Sequence, residues 1–140
     1  MTNVDESRLD ELTQRATDAA RNSYSRYSGF SVGAALKLSN GEIVTGTNVE
    51  NASYGLTICA ERSALVSAVS QFGPGIRVEA AVVVNLNGAP SPPCGACRQM
   101  LSEFVTPDAP VTFPGSDGPK TMKFSELMPE TFVFEKKKNN

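Results

Sequence analysis

The chain contains three cysteines and no histidine, and all three thiols fall in two short segments, TICAERSAL (residues 57–65) and SPPCGACRQ (residues 91–99). This pattern narrows the chemistry before anything else is considered. Without imidazole there is no Ser-His or Cys-His nucleophile pair and no histidine proton shuttle. Proton transfer falls to Asp, Glu, Lys, Tyr or a metal-activated hydroxide. An odd number of thiols leaves at least one without a disulfide partner in its own chain. The acidic, polar start MTNVDESRLDEL lacks both a secretory h-region and the basic character of a transit peptide. The expectation is therefore a reducing, cytoplasmic setting, in which free thiols and thiolate metal sites persist.

With 140 residues, 40% of them hydrophobic and 20% charged, the chain reads as one domain over residues 1–140 with a core of ordinary size. Thirteen Lys+Arg against 15 Asp+Glu give a net charge of −2. That balance supplies no field for gripping a phosphate polymer or an anionic membrane, so neither nucleic acid nor membrane is expected as a partner. No apolar run approaches the roughly 20 residues of a membrane span. The basic run Lys136–Lys138 reads as a solvated tail.

Leu9, Leu12, Ala16, Ala19 and Ala20 recur at helical spacing and predict an amphipathic helix over residues 4–23. FSVGAALKL and EIVTGTNVE are two strand-like runs joined by SNG, and Asn40-Gly41 signals a hairpin. TICAERSALVSAVSQF switches to helical periodicity and stops at Gly73-Pro74-Gly75. RVEAAVVVN is a continuous apolar run, as expected of a strand covered on both faces. CGACRQMLSEF reads as a helix, APVTF as a short strand, GSDGP as a turn, and KFSELMP as the start of a last helix with Ser125 as N-cap. The order of elements predicts an α/β sandwich, a mixed sheet with helices on its faces.

Both cysteine segments open a helix, which puts Cys59, Cys94 and Cys97 in first turns, where free N–H groups favour thiolate. Cys94 and Cys97, three positions apart, share one side of their helix; Pro93 is either the N-cap or the residue before it. Three thiolates can hold a zinc ion and leave one tetrahedral position free. A structural site is normally closed by four protein ligands, whereas a catalytic one keeps three. No fourth cysteine and no histidine exists to close the site, and an Asp or Glu closing a sulfur-rich site is unusual. Glu61, two residues after Cys59, can lean toward the free position and move a proton there. Arg62 and two helix N-termini can offset the excess negative charge of three thiolates. Taken singly, a C-x-x-C also reads as a redox pair and a lone cysteine as packing. Taken together, the segments read as a metal site.

Cys59-Ala60-Glu61 and Pro93-Cys94-Gly95-Ala96-Cys97 resemble the all-cysteine form of the zinc deaminase signature. FSVGAALKL, TGTNVENASYGLTICAERSAL and SPPCGACRQML extend the resemblance to the small cytidine deaminases over most of residues 20–132. It implies a three-layer α/β/α sandwich with a roughly five-stranded mixed sheet and one zinc ion per subunit. It also implies a homotetramer with sites at subunit interfaces, acting in pyrimidine salvage. The implied reaction is hydrolytic deamination of cytidine and 2′-deoxycytidine, with Glu61 as proton shuttle and Cys59, Cys94 and Cys97 as ligands. By the same resemblance Phe30 packs on the pyrimidine, and Asn48 and Glu50 bind the ribose 3′-hydroxyl. Tyr54 and the Ala60 backbone line the pocket, Arg62 and Gln99 surround the thiolates, and Phe132 reaches a neighbouring subunit. Gly29 stands where that family commonly has proline. Phe30 at a strand start also suits a core, and alternating Asn48 and Glu50 also suit an exposed strand face. Deamination of a nucleoside antibiotic such as blasticidin S, deamination of cytosine in a polynucleotide, and a zinc-stabilised interaction module without catalysis remain alternatives.

Overall fold

The fold was obtained as a computed structural model and is described here for residues 6–134. The lysine run at 136–138 lies outside the described residues. The alternation of side chains along two strands decides how the layers form. On β1 (Val32–Leu38), Ala34, Leu36 and Leu38 enter one core cluster while Ala35 enters another; on β3 (Val78–Asn85), Ala81 and Val83 join the first and Ala80 and Val82 the second. The period of two thus feeds both faces of one sheet. Strand β3 is covered on both sides, as its unbroken apolar run predicts.

Helix α1 (Glu6–Ala20) supplies Leu12 and Ala16 to the second cluster. The opposite face is covered by α2 (Ala60–Phe72), α3 (Gly95–Leu101) and the short α4 (Phe124–Leu127), which contribute Ala64, Leu65, Leu101, Phe124 and Leu127 to the first. With β2 (Ile43–Thr47), β4 (Pro110–Gly115) and β5 (Gly118–Lys123), the sheet runs β2-β1-β3-β4-β5. Only the β3–β4 pair is parallel, joined through α3, so the sheet is mixed. A three-layer α/β/α sandwich with five strands results, as the family resemblance implies.

Two glycines let the helices lie close on the sheet. A Cβ at Gly33 would stand 1.9 Å from the carbonyl oxygen of Ala16 in α1, and one at Gly46 would stand 2.3 Å from the amide nitrogen of Ala64 in α2. Any larger residue there would push a helix off its face.

Several boundaries differ from expectation. The N-cap of α4 is Lys123, not Ser125; its amide donates to the Glu126 carboxylate at 2.9 Å, which closes the first turn. Helix α3 ends at Leu101, earlier than its sequence predicts, as Phe104 and Val105 amides fold back on the Leu101 carbonyl. Strand β5 carries no apolar alternation, and its residues are almost all exposed; its place is set by six paired positions with β4. No helix of the described residues is long and apolar enough to cross a membrane.

Candidate active site

The site lies at the edge of the sheet where β1 begins and β3 ends, on the side covered by α2 and α3. Cys59 and Cys94 are the N-caps of these two helices, both with extended backbone (φ −75°, ψ 158° and φ −72°, ψ 168°), so Pro93 is the residue before the cap. Cys97 follows in the first turn of α3 and is fully buried. Neither N-cap thiol caps the free amides of its helix; both turn toward each other. The Sγ atoms of Cys59 and Cys94 are 3.9 Å apart, those of Cys94 and Cys97 are 3.5 Å apart, and all three lie within 4.8 Å of one another. Four-coordinate zinc with Zn–S bonds of about 2.3 Å places neighbouring sulfurs roughly 3.8 Å apart. Spacing and soft donors both fit that ion. Among the described residues this is the one cluster of three potential metal ligands.

The electrostatics follow from crowding three thiols at two helix N-termini. A hydrogen bond from Cys97 and the Arg62 guanidinium hold the Cys59 thiol down to about 5, while the same partnership and burial push Cys97 up. Arg62 Nη2 donates to Cys59 Sγ at 3.5 Å and to the Thr57 carbonyl at 3.4 Å, so the guanidinium does face the sulfurs. Its Nε is buried with no hydrogen-bond partner among the described residues. Glu61, also in the first turn of α2, is only 6% exposed. Burial raises its carboxyl above the ordinary range, opposed by its own amide and by the nearby Cys97 thiol.

A cavity of about 220 Å³ is lined by Cys59, Cys94, Glu61, Ala60, Phe30 and Asn48, among others. Five sequence-predicted positions beyond Cys59 therefore converge there. Cys97 sits behind them in the core. Glu50, Tyr54 and Arg62 line an adjoining cavity of about 510 Å³, which shares Thr57 and Cys59 with the first.

Asn48 and Glu50 do not share a strand face, because β2 ends at Thr47. Asn48, 8% exposed, is wedged under the 23–32 segment. Its Oδ1 accepts from Ser23 Oγ (2.7 Å) and the Val32 amide (3.0 Å), and its Nδ2 donates to the Phe30 carbonyl (2.8 Å). Glu50 instead accepts from the amides of Tyr27 (3.0 Å) and Ser28 (3.1 Å) and from the Ser28 hydroxyl. These bonds, the hydroxyl first, hold its carboxyl below the usual range. Tyr54 is 91% and Phe132 70% exposed. Gln99 turns to the C-terminal segment, its Nε2 donating to the Phe132 carbonyl at 3.5 Å.

Sequence reasoning missed Arg98. Its Nε donates to the Pro93 carbonyl at 2.7 Å and its Nη1 to the Leu127 carbonyl at 2.8 Å, tying the approach to Cys94 to the end of α4. Its partners are main-chain carbonyls, which leave no mark in the amino-acid pattern.

Three converging thiols beside a buried carboxylate, on a sandwich of this topology, put the protein in the class of zinc-binding enzymes. The model of the family described as cytidine and deoxycytidylate deaminase zinc-binding region matches residues 6–112. A cytidine deaminase of Halalkalibacterium halodurans is 44% identical over 126 residues, covering 89% of this chain and 93% of its own. One of Mycobacterium tuberculosis is 41% identical over 121 residues, 86% of each chain. Among solved structures, the cytidine deaminase of Burkholderia pseudomallei aligns with a TM-score of 0.78 at 38% identity, covering 94% of this chain and 100% of that one. That of Mycobacterium tuberculosis aligns with a TM-score of 0.76 at 37% identity, over 90% and 98%. The chain belongs to the cytidine and deoxycytidylate deaminase family.

Proposed function

We propose that the protein hydrolyses cytidine and 2′-deoxycytidine to uridine and 2′-deoxyuridine with release of ammonia, using Glu61 as the proton carrier. The observation that carries this reading is a buried carboxylate lining the same small cavity as two of three clustered thiols, Phe30 and Asn48. Zinc held by Cys59, Cys94 and Cys97 supplies Lewis-acid activation for hydrolysis. The chain's own residues do the rest. Water adds to the ring carbon that bears the amino group. A Glu61 carboxylate oxygen receives one of its protons and delivers it to the adjacent ring nitrogen. The same oxygen then carries the second proton to the amine as the carbon–nitrogen bond breaks. Phe30 packs against the base, and the Arg62 guanidinium balances the thiolate charge.

The hydrogen bonds of Asn48 and Glu50 support a role with the sugar. With both Oδ1 lone pairs and one Nδ2 hydrogen engaged, Asn48 has one donor left. Glu50, with three bonds received, has about one acceptor direction left. A hydroxyl, which both accepts and donates, matches that pair, and a ribose 3′-hydroxyl is the group the family resemblance assigns to it. The test is turnover of cytidine, blasticidin S and a C-containing oligonucleotide side by side, followed by ultraviolet absorbance with and without a zinc chelator. Cytidine is expected to be consumed and chelation to stop it; inert cytidine sinks the proposal. A closed structural zinc site without catalysis predicts no turnover of any of the three.

We also propose a homotetramer with sites at subunit interfaces, in a reducing, cytoplasmic setting that suits three free thiols. Tyr24, Val49 and Ile58, linked through main-chain bridges, form with Tyr54 and Leu56 an exposed apolar surface beside the cavities. A surface of that kind asks for a partner. Sedimentation is expected to give a tetramer; a fully active monomer would overturn this.

A further inference from the structure

We propose that Ser28 is a positioning residue that sets the sugar selectivity of the site, by joining the Phe30 amide and the Glu50 carboxylate into one hydrogen-bonded unit. The inference rests on the sugar-binding role proposed for Glu50. Ser28 Oγ accepts from the Phe30 amide at 3.0 Å. That bond leaves the hydroxyl hydrogen for the bond Ser28 makes to Glu50 Oε2. The other carboxylate oxygen, Oε1, is occupied by the amides of Tyr27 and Ser28. One hydroxyl therefore orients the carboxylate and ties it to the backbone of the residue placed against the base.

The consequence for selectivity is geometric. A carboxylate has about four acceptor directions, and residues 27–28 fill three of them. The one left is fixed in direction only while Oε2 is held, because the two amides both bind Oε1 and leave the carboxylate free to swing about it. Remove the Ser28 hydroxyl and Glu50 gains a second vacant direction, which water fills. A substrate hydroxyl then competes with water for an acceptor that no longer points one way. A site built to pair a hydroxyl rejects analogues lacking it, because its own polar groups are left unpaired. Loosening the acceptor weakens that rejection.

The segment does not depend on Ser28 for its shape. Gly29 adopts φ +71°, a conformation that favours glycine, and its amide donates to the Ser25 carbonyl at 2.8 Å. Asn87 clamps both sides of Phe30, accepting from the Ser31 amide and donating to the Gly29 carbonyl, each at 2.9 Å. Asn48 holds the Phe30 carbonyl and the Val32 amide. Ser28 itself is exposed. Its replacement by alanine should therefore leave fold and zinc intact and remove the link alone.

The experiment is steady-state kinetics of wild type, Ser28→Ala and Ser28→Thr with cytidine and 3′-deoxycytidine, alongside zinc content and thermal melting. Wild type is expected to prefer cytidine by about 100-fold or more in kcat/KM. Ser28→Ala should raise KM for cytidine roughly tenfold with kcat within about twofold, and lower the preference over 3′-deoxycytidine roughly tenfold. Ser28→Thr, which keeps the hydroxyl, should restore both. If Ser28→Ala keeps the wild-type preference, or if kcat falls while KM holds, the inference is wrong. Failure of Ser28→Thr to rescue counts against it as well. Wild type that does not distinguish the two nucleosides refutes instead the sugar role of Glu50 on which this stands.

Discussion

Glu61→Gln is expected to keep one zinc per chain and lose roughly 10³- to 10⁴-fold in kcat, the scale of a positioned proton carrier. Glutamine has nearly the shape of glutamate, so the packing of Glu61 among Ala60, Cys97 and the cavity wall survives. What disappears is the ability to take a proton and give it back. The burial that makes Glu61 useful also makes it costly, since desolvation of its carboxylate is the largest influence on it. An amide avoids that cost, so thermal melting of the variant should occur at the wild-type temperature or above it. The combination of intact zinc, equal or greater stability and collapsed turnover separates a chemical role from a structural one. Near-normal turnover in Glu61→Gln would remove the proton-carrier role altogether.

The parts legible in the sequence are those in which chemistry and local structure coincide. Cys59 and Cys94 announce themselves because a thiol at a helix start, followed by Glu61 or by a second thiol three residues on, is a local pattern. The structure then only has to bring two such starts together. β3 is equally plain, because burial on both faces leaves an unbroken apolar run. The hairpin between β1 and β2 follows from Asn40-Gly41.

What escaped detection depends on partners that leave no mark in the pattern of apolar and polar residues. β5 is exposed, holds Pro119 and two lysines, and owes its existence to pairing with β4. Asn48 and Glu50 alternate on paper, yet β2 stops one residue before Asn48, and the polar 23–32 segment folds over both. Their different environments are a property of that segment. Arg98 and Ser28 act on main-chain atoms and on one carboxylate, so their neighbours in sequence do not reveal them.

Cys97→Ser should bring zinc content from one per chain to near zero, abolish turnover, and lower the melting temperature by roughly 10 °C. The magnitude corresponds to losing a few kcal/mol of ligand linkage in a domain of this size. Of the three thiols, Cys97 is the fully buried one, with its sulfur 3.5 Å from that of Cys94 and within 4.8 Å of that of Cys59. A serine there cannot move outward to let water complete the coordination, and its hydroxyl is a poor donor for zinc. Cys94→Ser alters an exposed ligand, where solvent can take the vacated position; it should retain part of the zinc and melt between Cys97→Ser and wild type. Chelated wild type offers the decisive comparison. The sandwich has its own hydrophobic core on both faces of the sheet, so the metal-free chain should stay folded and melt near Cys97→Ser, unlike small zinc domains that unfold without metal. The neighbouring thiols lower Cys59 and raise Cys97 in the metal-free chain; a bound dication would favour the ionised form of each sulfur. Full zinc occupancy in Cys97→Ser, read by atomic absorption, would mean that Cys97 is not a ligand.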